Sequence, residues 1–252
     1  MKHYTHRYLL NPVHPISVDL VGLGGNGSQV LSNLGRINAA LIGLGHPGLQ
    51  VRAWDADIVS ESNLGRQLFS TADIGLNKAI VLIQRINRFF GLQWEAVPSN
   101  YNGQLKSNIL ITCVDKAKTR LSISKKLSWK NSDHPSNNLY YWLDMGNSLF
   151  TGQCIIGTGR QQFWKEQPNE KVVKRTLKTV IQKFPQIKKI KEINQGPSCS
   201  LAEALEKQDL FINSTLAQFG CNLIWKLIRE GQLRYHGCYV NLETLTVNPI
   251  KI

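Results

Sequence analysis

Val18-Asp19-Leu20-Val21-Gly22-Leu23-Gly24-Gly25-Asn26-Gly27 carries a buried-strand pattern straight into a glycine loop that opens a helix. With no Cβ at Gly22, Gly24, Gly25 or Gly27, such a loop turns tightly. It aims its N–H groups, with the positive end of the following helix, at the phosphates of a nucleotide. The loop alone does not choose a chemistry, because dinucleotide oxidoreductases and many methyltransferases carry similar ones.

Outward from the loop, Ile16–Val21 reads as a strand buried on both faces and residues 28–44 as the helix it feeds. Gly43, Gly45, Pro47 and Gly48 break the chain before a second strand, Leu49–Trp54, which ends at Asp55 and completes a β-α-β unit. A polar segment at 55–67 leads through Asp73 and Gly75 into a strong helix over Lys78–Phe90, with Ile80, Ile83, Ile86 and Phe90 on one side. A short strand follows at 94–98, then an apolar strand at 109–114 ending on Asp115, a helix at 116–129 and a surface loop at 130–138.

Further strands read at 139–144 and 153–159. Ser200-Leu201-Ala202-Glu203 has the spacing of a capping box, and the apolar positions over 201–228 predict one long or two abutting helices ended by Gly231. Residues 235–242 and 245–252 predict a closing hairpin around Glu243-Thr244. The expected class is α/β: a Rossmann-like mixed sheet flanked by helices, with a C-terminal β-hairpin.

A chain of 252 residues can bury one large core. The reading is a single domain over 1–252, with a nucleotide-binding half at about 14–130, a basic helical insertion at about 160–196 and a C-terminal helix and hairpin at 200–252. No apolar run reaches the ~18 to 20 residues that span a bilayer, and Met1-Lys2-His3-Tyr4-Thr5-His6-Arg7 lacks a signal-peptide segment, so a cytoplasmic protein with no membrane partner is expected. Cys113, Cys154, Cys199, Cys221 and Cys238 are far apart and form no C-x-x-C pair, which argues against a disulfide framework and against zinc.

The formal net charge of +13 suggests an acidic partner: nucleic acid, an acidic protein or a polyanionic cosubstrate. The excess concentrates at 165–191, where Val172, Val173, Leu177, Val180, Ile181 and Phe184 recur at helical spacing and would pack inward. Its lysines then form either a solvated face or a docking surface.

After the glycine loop come Asp55 at a strand end, Asn63-Leu64-Gly65-Arg66-Gln67, Lys78 at a helix start, and Cys113-Val114-Asp115 with Arg120 five residues on. This ordered set resembles the ThiF/MoeB and ubiquitin-activating enzyme superfamily, whose members adenylate the C-terminal glycine of a small ubiquitin-like or sulfur-carrier protein. The resemblance covers residues 17–120 by motif and the last fifty residues by architecture. Within the superfamily the chain looks most like the ThiF-type proteins of plasmid-borne PRTRC systems, partly through Pro197-Ser198-Cys199-Ser200 and Asn241-Leu242.

The resemblance implies ATP phosphates on Gly22, Gly24, Gly25 and Gly27 and the ribose on Asp55. It places triphosphate contacts on Asn63, Arg66, Gln67 and Lys78, and Mg²⁺ on Asp115. It also implies a homodimer. A carboxylate attacking the α-phosphorus of ATP expels pyrophosphate, so two anions must meet while charge moves to the leaving group; Arg66 offers a rigid fork, Lys78 a point charge and Asp115 an oxygen ligand. The attacking carboxylate is already ionised near neutral pH, so no general base is required. Asp57 reads as structural.

Two departures stand out. Residues 39–50 add a glycine-rich extension, which raises the expectation of a differently seated adenine. The family's arginine finger has only Arg7 as a basic candidate before the first strand, in an unlike context. Cys199, just before a helix start where a thiolate is stabilised, is the candidate for thioester transfer, against the reading of an ordinary helix-entry residue. Rival readings are a relative acting on modified tRNA, a non-catalytic ATP-binding adaptor of a plasmid-maintenance complex, and an NAD dehydrogenase, in which Asn63 to Gln67 and Lys78 have no role.

Overall fold

The computed structural model describes residues 1–103, 107–127, 134–159, 176–189 and 200–252. One parallel sheet is built by β2 (Ile16–Val21), β3 (Leu49–Trp54), β4 (Glu95–Val97), β5 (Ile109–Thr112) and β6 (Tyr141–Asn147). It continues antiparallel through β7 (Thr151–Thr158), β9 (Tyr235–Asn241) and β10 (Thr246–Lys251), in the order β10-β9-β7-β6-β5-β2-β3-β4. β1 (His3–Tyr4) and β8 (Gln232–Leu233) form a separate two-stranded sheet beside the short α1 (Arg7–Leu10), none of it expected from the sequence.

The central strands β2, β5 and β6 are buried on both faces because helices cover both. Leu20 pairs in register with Ala53 and Ile111, and Ile111 with Leu143; this row belongs to the core that includes Val30, Leu34 and Leu41 of α2 (Gly25–Gly43). Ala79 and Ile83 of α3 (Lys78–Phe90) and Leu216 and Ile224 of α7 (Ile212–Arg229) join the same core. Val21, Trp54, Leu110 and Trp142 point the other way, with Ile123 of α4 (Ala117–Lys126) and Val180 of α5 (Val180–Lys183).

Several boundaries differ from expectation. α2 starts at Gly25, because the glycine loop already forms its first turn. β5 stops at Thr112 rather than 114, and the strand expected at 139–144 begins at Tyr141 and runs on to Asn147. The helical stretch at 201–228 is two helices, α6 (Leu201–Lys207) and α7: the chain is extended at Gln208, and Asp209 Oδ1 then accepts from the N–H groups of Phe211 at 2.8 Å and Ile212 at 3.1 Å and turns it into a new start.

In the basic segment only residues 176–189 are described. They hold the four-residue α5 and a 3₁₀ turn, Pro185–Lys189, rather than a continuous helix, since Pro185 cannot extend it. Leu177 and Val180 are buried, while Val172 and Val173 lie outside the described residues. The extension at 39–50 begins near the C-terminal end of the 19-residue α2, ~21 Å along the helix from the glycine loop at its N-terminus. No helix among the described residues is long and apolar enough to cross a membrane.

Candidate active site

The carboxyl ends of β2, β3, β5 and β6 gather residues 22–27, Asp55, residues 113–115 and Asn147 at one edge of the sheet, where open α/β sheets bind ligands. Two of the four loop glycines, Gly22 and Gly27, are required by close approach of backbone, and a third, Gly25, faces a side chain. Gly22 has φ +86°, and a Cβ there would lie 2.9 Å from the Cys113 carbonyl oxygen. A Cβ on Gly27 would strike the Gly22 carbonyl, and one on Gly25 would lie 2.5 Å from Asn213 Oδ1. Gly24 is roomier, with Gln67 Oε1 3.9 Å from its would-be Cβ. The N-cap of α2 is Gly24, which has no side chain to cap it, so among the described residues its first-turn N–H groups are left for an anion.

Asp55 braces this loop. Its Oδ2 accepts from Leu23 N at 2.6 Å and its Oδ1 from Asp57 N at 2.8 Å. Burial pushes the carboxyl up, against the pull of these two N–H groups and of Lys78. Each oxygen keeps a lone pair that a ribose hydroxyl can use. Asn77 caps α3 through Ala79 N and Ile80 N, which sets Lys78 as its first residue. Buried Lys78 reaches the exposed carboxylate of Asp57 at 3.2 Å, so Asp57, read from sequence as structural, is the partner of a candidate site lysine.

Buried Asn63 closes the turn before Arg66 by accepting from Ser60 N at 3.0 Å. Arg66 Nη1 donates to Gln208 Oε1 at 2.5 Å, while Arg66 Nε is buried without a partner among the described residues. Burial lowers the guanidinium's pKa, and among the described residues no carboxylate pairs with it. Gln67 Oε1 and Asn26 Oδ1 are also buried and unpartnered, on side chains whose residues are 5% and 7% exposed. Asn26 Nδ2 meanwhile donates to Asn147 Oδ1 at 2.9 Å. Each such atom costs about 1–3 kcal/mol, and three of the four unpartnered buried atoms found among the described residues belong to this loop and the Arg66 turn. Sequence reading did not single out Asn26, Asn147, Asn213 or Gln208; the buried asparagine inside the glycine loop was the available signal.

Asp115 lies exposed in the turn after β5, and Arg120 Nη1 holds its backbone carbonyl at 3.3 Å. Among the described residues no group of three or more His, Cys, Asp and Glu gathers to bind a metal. Cys199 lies outside the described residues. Of the other cysteines, burial pushes the Cys113 thiol well up and Cys221 up to about 12. Cys154 and Cys238 face each other across β7 and β9 with sulfurs 3.5 Å apart; their hydrogen bond raises Cys154 and lowers Cys238. Arg7 is an exposed residue of α1.

A glycine loop, the strand-end Asp55, the Arg66 turn and Lys78 on one sheet edge are accompanied by a family match. The ThiF family model covers residues 10–229. The chain belongs to the ThiF family. Among solved structures, this ThiF-family chain is similar to PaaA, with 14% identity and a TM-score of 0.56, over 98% of this chain and 66% of PaaA. It is similar to E. coli MccB with succinimide at 16% identity and a TM-score of 0.57, over 94% of this chain and 63% of that one. For E. coli MccB with MccA the identity is 15% and the TM-score 0.57, over 96% and 64%. At these identities the likeness is one of fold, and the ThiF-family chain spans less than two thirds of the length of each. Comparison with curated protein sequences finds no match.

Proposed function

We propose that this ThiF-family chain adenylates a carboxylate with MgATP, and that its substrate is the C-terminal glycine of a small ubiquitin-like or sulfur-carrier-like protein. The observation that carries the reading is the buried donor Arg66 Nε, without a partner among the described residues, beside the N-terminus of α2, whose N-cap glycine has no side chain. A polyphosphate supplies the oxygens that Arg66 Nε and the α2 amides lack. The carboxamide of Gln67 turns an N–H toward the same anion by a 180° rotation, while Asn26 is held in its orientation by Asn147 Oδ1.

Each residue then has a task. The N–H groups of residues 24–27 and the Arg66 fork hold phosphate oxygens, and Lys78, shared with Asp57, adds a point charge where pyrophosphate leaves. Asp55 anchors the loop and offers its remaining lone pairs to the ribose. The substrate carboxylate forms a bond to the α-phosphorus as the bond to the pyrophosphate oxygen breaks, giving an acyl adenylate and no net proton transfer. Asp115 fits as the holder of Mg²⁺: its carboxylate is exposed, and no partner for it is found among the described residues. A hard ion that keeps waters and phosphate oxygens needs few protein ligands and supplies charge neutralisation between the phosphates.

The chain would act as one adenylation domain, paired as a homodimer, with the basic segment at 165–191 as a docking surface for an acidic partner and Cys199 open to thioester transfer. The PRTRC-type resemblance suggests a plasmid-encoded carrier as partner. The deciding experiment is ATP–pyrophosphate exchange with a carrier protein ending in glycine. Exchange that requires the terminal carboxylate supports the proposal; normal ATP binding without exchange on any such carrier contradicts it. The net charge of +13 favours a tRNA-directed alternative, which salt-dependent tRNA binding and carrier-independent activity would reveal.

A further inference from the structure

Arg66 is held from outside its own turn. The Gln208 oxygen that accepts from Arg66 Nη1 also accepts from Asn213 Nδ2 at 3.3 Å. Gln208 ends α6 and Asn213 lies in the first turn of α7, so the grip comes from the α6–α7 junction, 142 residues along the chain from Arg66. The junction is itself fixed. Asp209 N donates to the Leu149 carbonyl at 2.9 Å, the Asp209 carboxylate accepts from Phe211 N and Ile212 N where α7 begins, and α6 packs on the 3₁₀ turn Glu61–Asn63 that precedes Arg66. Asn213 also fills the space beside Gly25, so the same junction touches the first turn of α2.

The chemistry of the acceptor matters. A guanidinium has five N–H donors in a rigid plane, and fixing one of them orients the rest. A carboxylate at 208 would fix it equally well but would neutralise its charge. The amide fixes the fork and leaves the charge intact, with Nε buried and without a partner.

We propose that Gln208 is a positioning residue for Arg66, fixing the guanidinium so that its charge and its Nε–H remain for a phosphate oxygen. The inference rests on the reading of the glycine loop and Arg66 as a triphosphate site. It makes the α6–α7 junction part of the nucleotide site.

The test compares the full chain with Gln208→Glu and Gln208→Met by calorimetric MgATP titration, nucleotide-free thermal unfolding and the kcat and KM of pyrophosphate exchange. Gln208→Glu is expected to keep or raise the nucleotide-free Tm while weakening ATP binding about tenfold or more, because the new ion pair competes with phosphate. Gln208→Met, which loses the acceptor and keeps the charge, is expected to lower kcat about tenfold with ATP affinity within about threefold of wild type. Loss of affinity in both variants in step with a fall in Tm would mean a packing role and overturn the proposal, as would wild-type behaviour of Gln208→Glu. Wild-type protein that takes no ATP overturns the underlying triphosphate site as well, whereas wild-type binding with an unaffected Gln208→Glu overturns this inference alone.

Discussion

Arg120 on α4 grips Asp144 on β6 through Nε, which donates to both carboxylate oxygens at 3.0 and 3.1 Å. Its Nη2 reaches the Met145 carbonyl at 2.9 Å and its Nη1 the Asp115 carbonyl at 3.3 Å. On the other side, Thr112 Oγ1 donates to Asp144 at 2.5 Å and accepts from Trp142 Nε1 at 2.8 Å. The pair thus ties the ends of β5 and β6 together and fixes the turn that presents Asp115. Burial pushes the Asp144 carboxyl up, and the Arg120 and Thr112 partners pull it back.

Arg120→Ala leaves Asp144, 1% exposed, without its cation. The expected loss is about 3–5 kcal/mol in urea unfolding. A loss below about 1 kcal/mol would mean that the pair does not hold this region.

Arg66→Ala and Asp115→Ala remove groups with few structural partners, so both variants should fold with near-wild-type Tm. Exchange should fall ~10² to 10³-fold in each. Retained exchange in either would remove that residue from the proposed site.

Asp73 accepts from Ser70 N at 2.7 Å and from Arg85 Nη2 at 2.8 Å. Burial alone would raise its carboxyl, but these partners hold it below the ordinary value. A depressed folded pKa gives stability that is complete above the unfolded value of ~3.9 and disappears as pH falls through the lower folded value. Asp73→Asn should therefore cost about 1–3 kcal/mol at pH 7, with the gap to wild type closing as the pH is lowered below ~3.9. A gap independent of pH would contradict this origin.

Cys113 and Cys221 carry thiols raised by burial, Cys221 to about 12, and Cys154 is raised by the hydrogen bond to Cys238 as well as by burial. Iodoacetamide at pH 8 should modify these three far more slowly in native than in urea-unfolded protein, with peptide mapping as the readout. Fast native labelling of Cys113 would make it, rather than Cys199, the first thiol to test for a thioester.

The β-α-β unit and the order of the site residues were legible because their signals are local. Ile111 sits in an apolar run, Val51 and Ala53 alternate with polar residues, the glycines are spaced for a tight turn, and Asp55 and Lys78 stand at element ends. The rest depends on contacts far apart in sequence. Nothing beside Gln208 announces Arg66, and nothing beside Arg120 announces Asp144. The two-residue strands β1 and β8 are too short to carry a period, and the turn at Gln208 and Asp209 divides an otherwise continuous apolar pattern into α6 and α7.

The most direct measurement is a crystal structure with a non-hydrolysable ATP analogue and Mg²⁺. The account predicts phosphate oxygens within ~3 Å of Arg66 Nε and of the amides of residues 24–27, with Asp115 turned toward the ion. An analogue bound elsewhere, or bound with Arg66, Lys78 and Asp115 all facing away from it, would contradict the account.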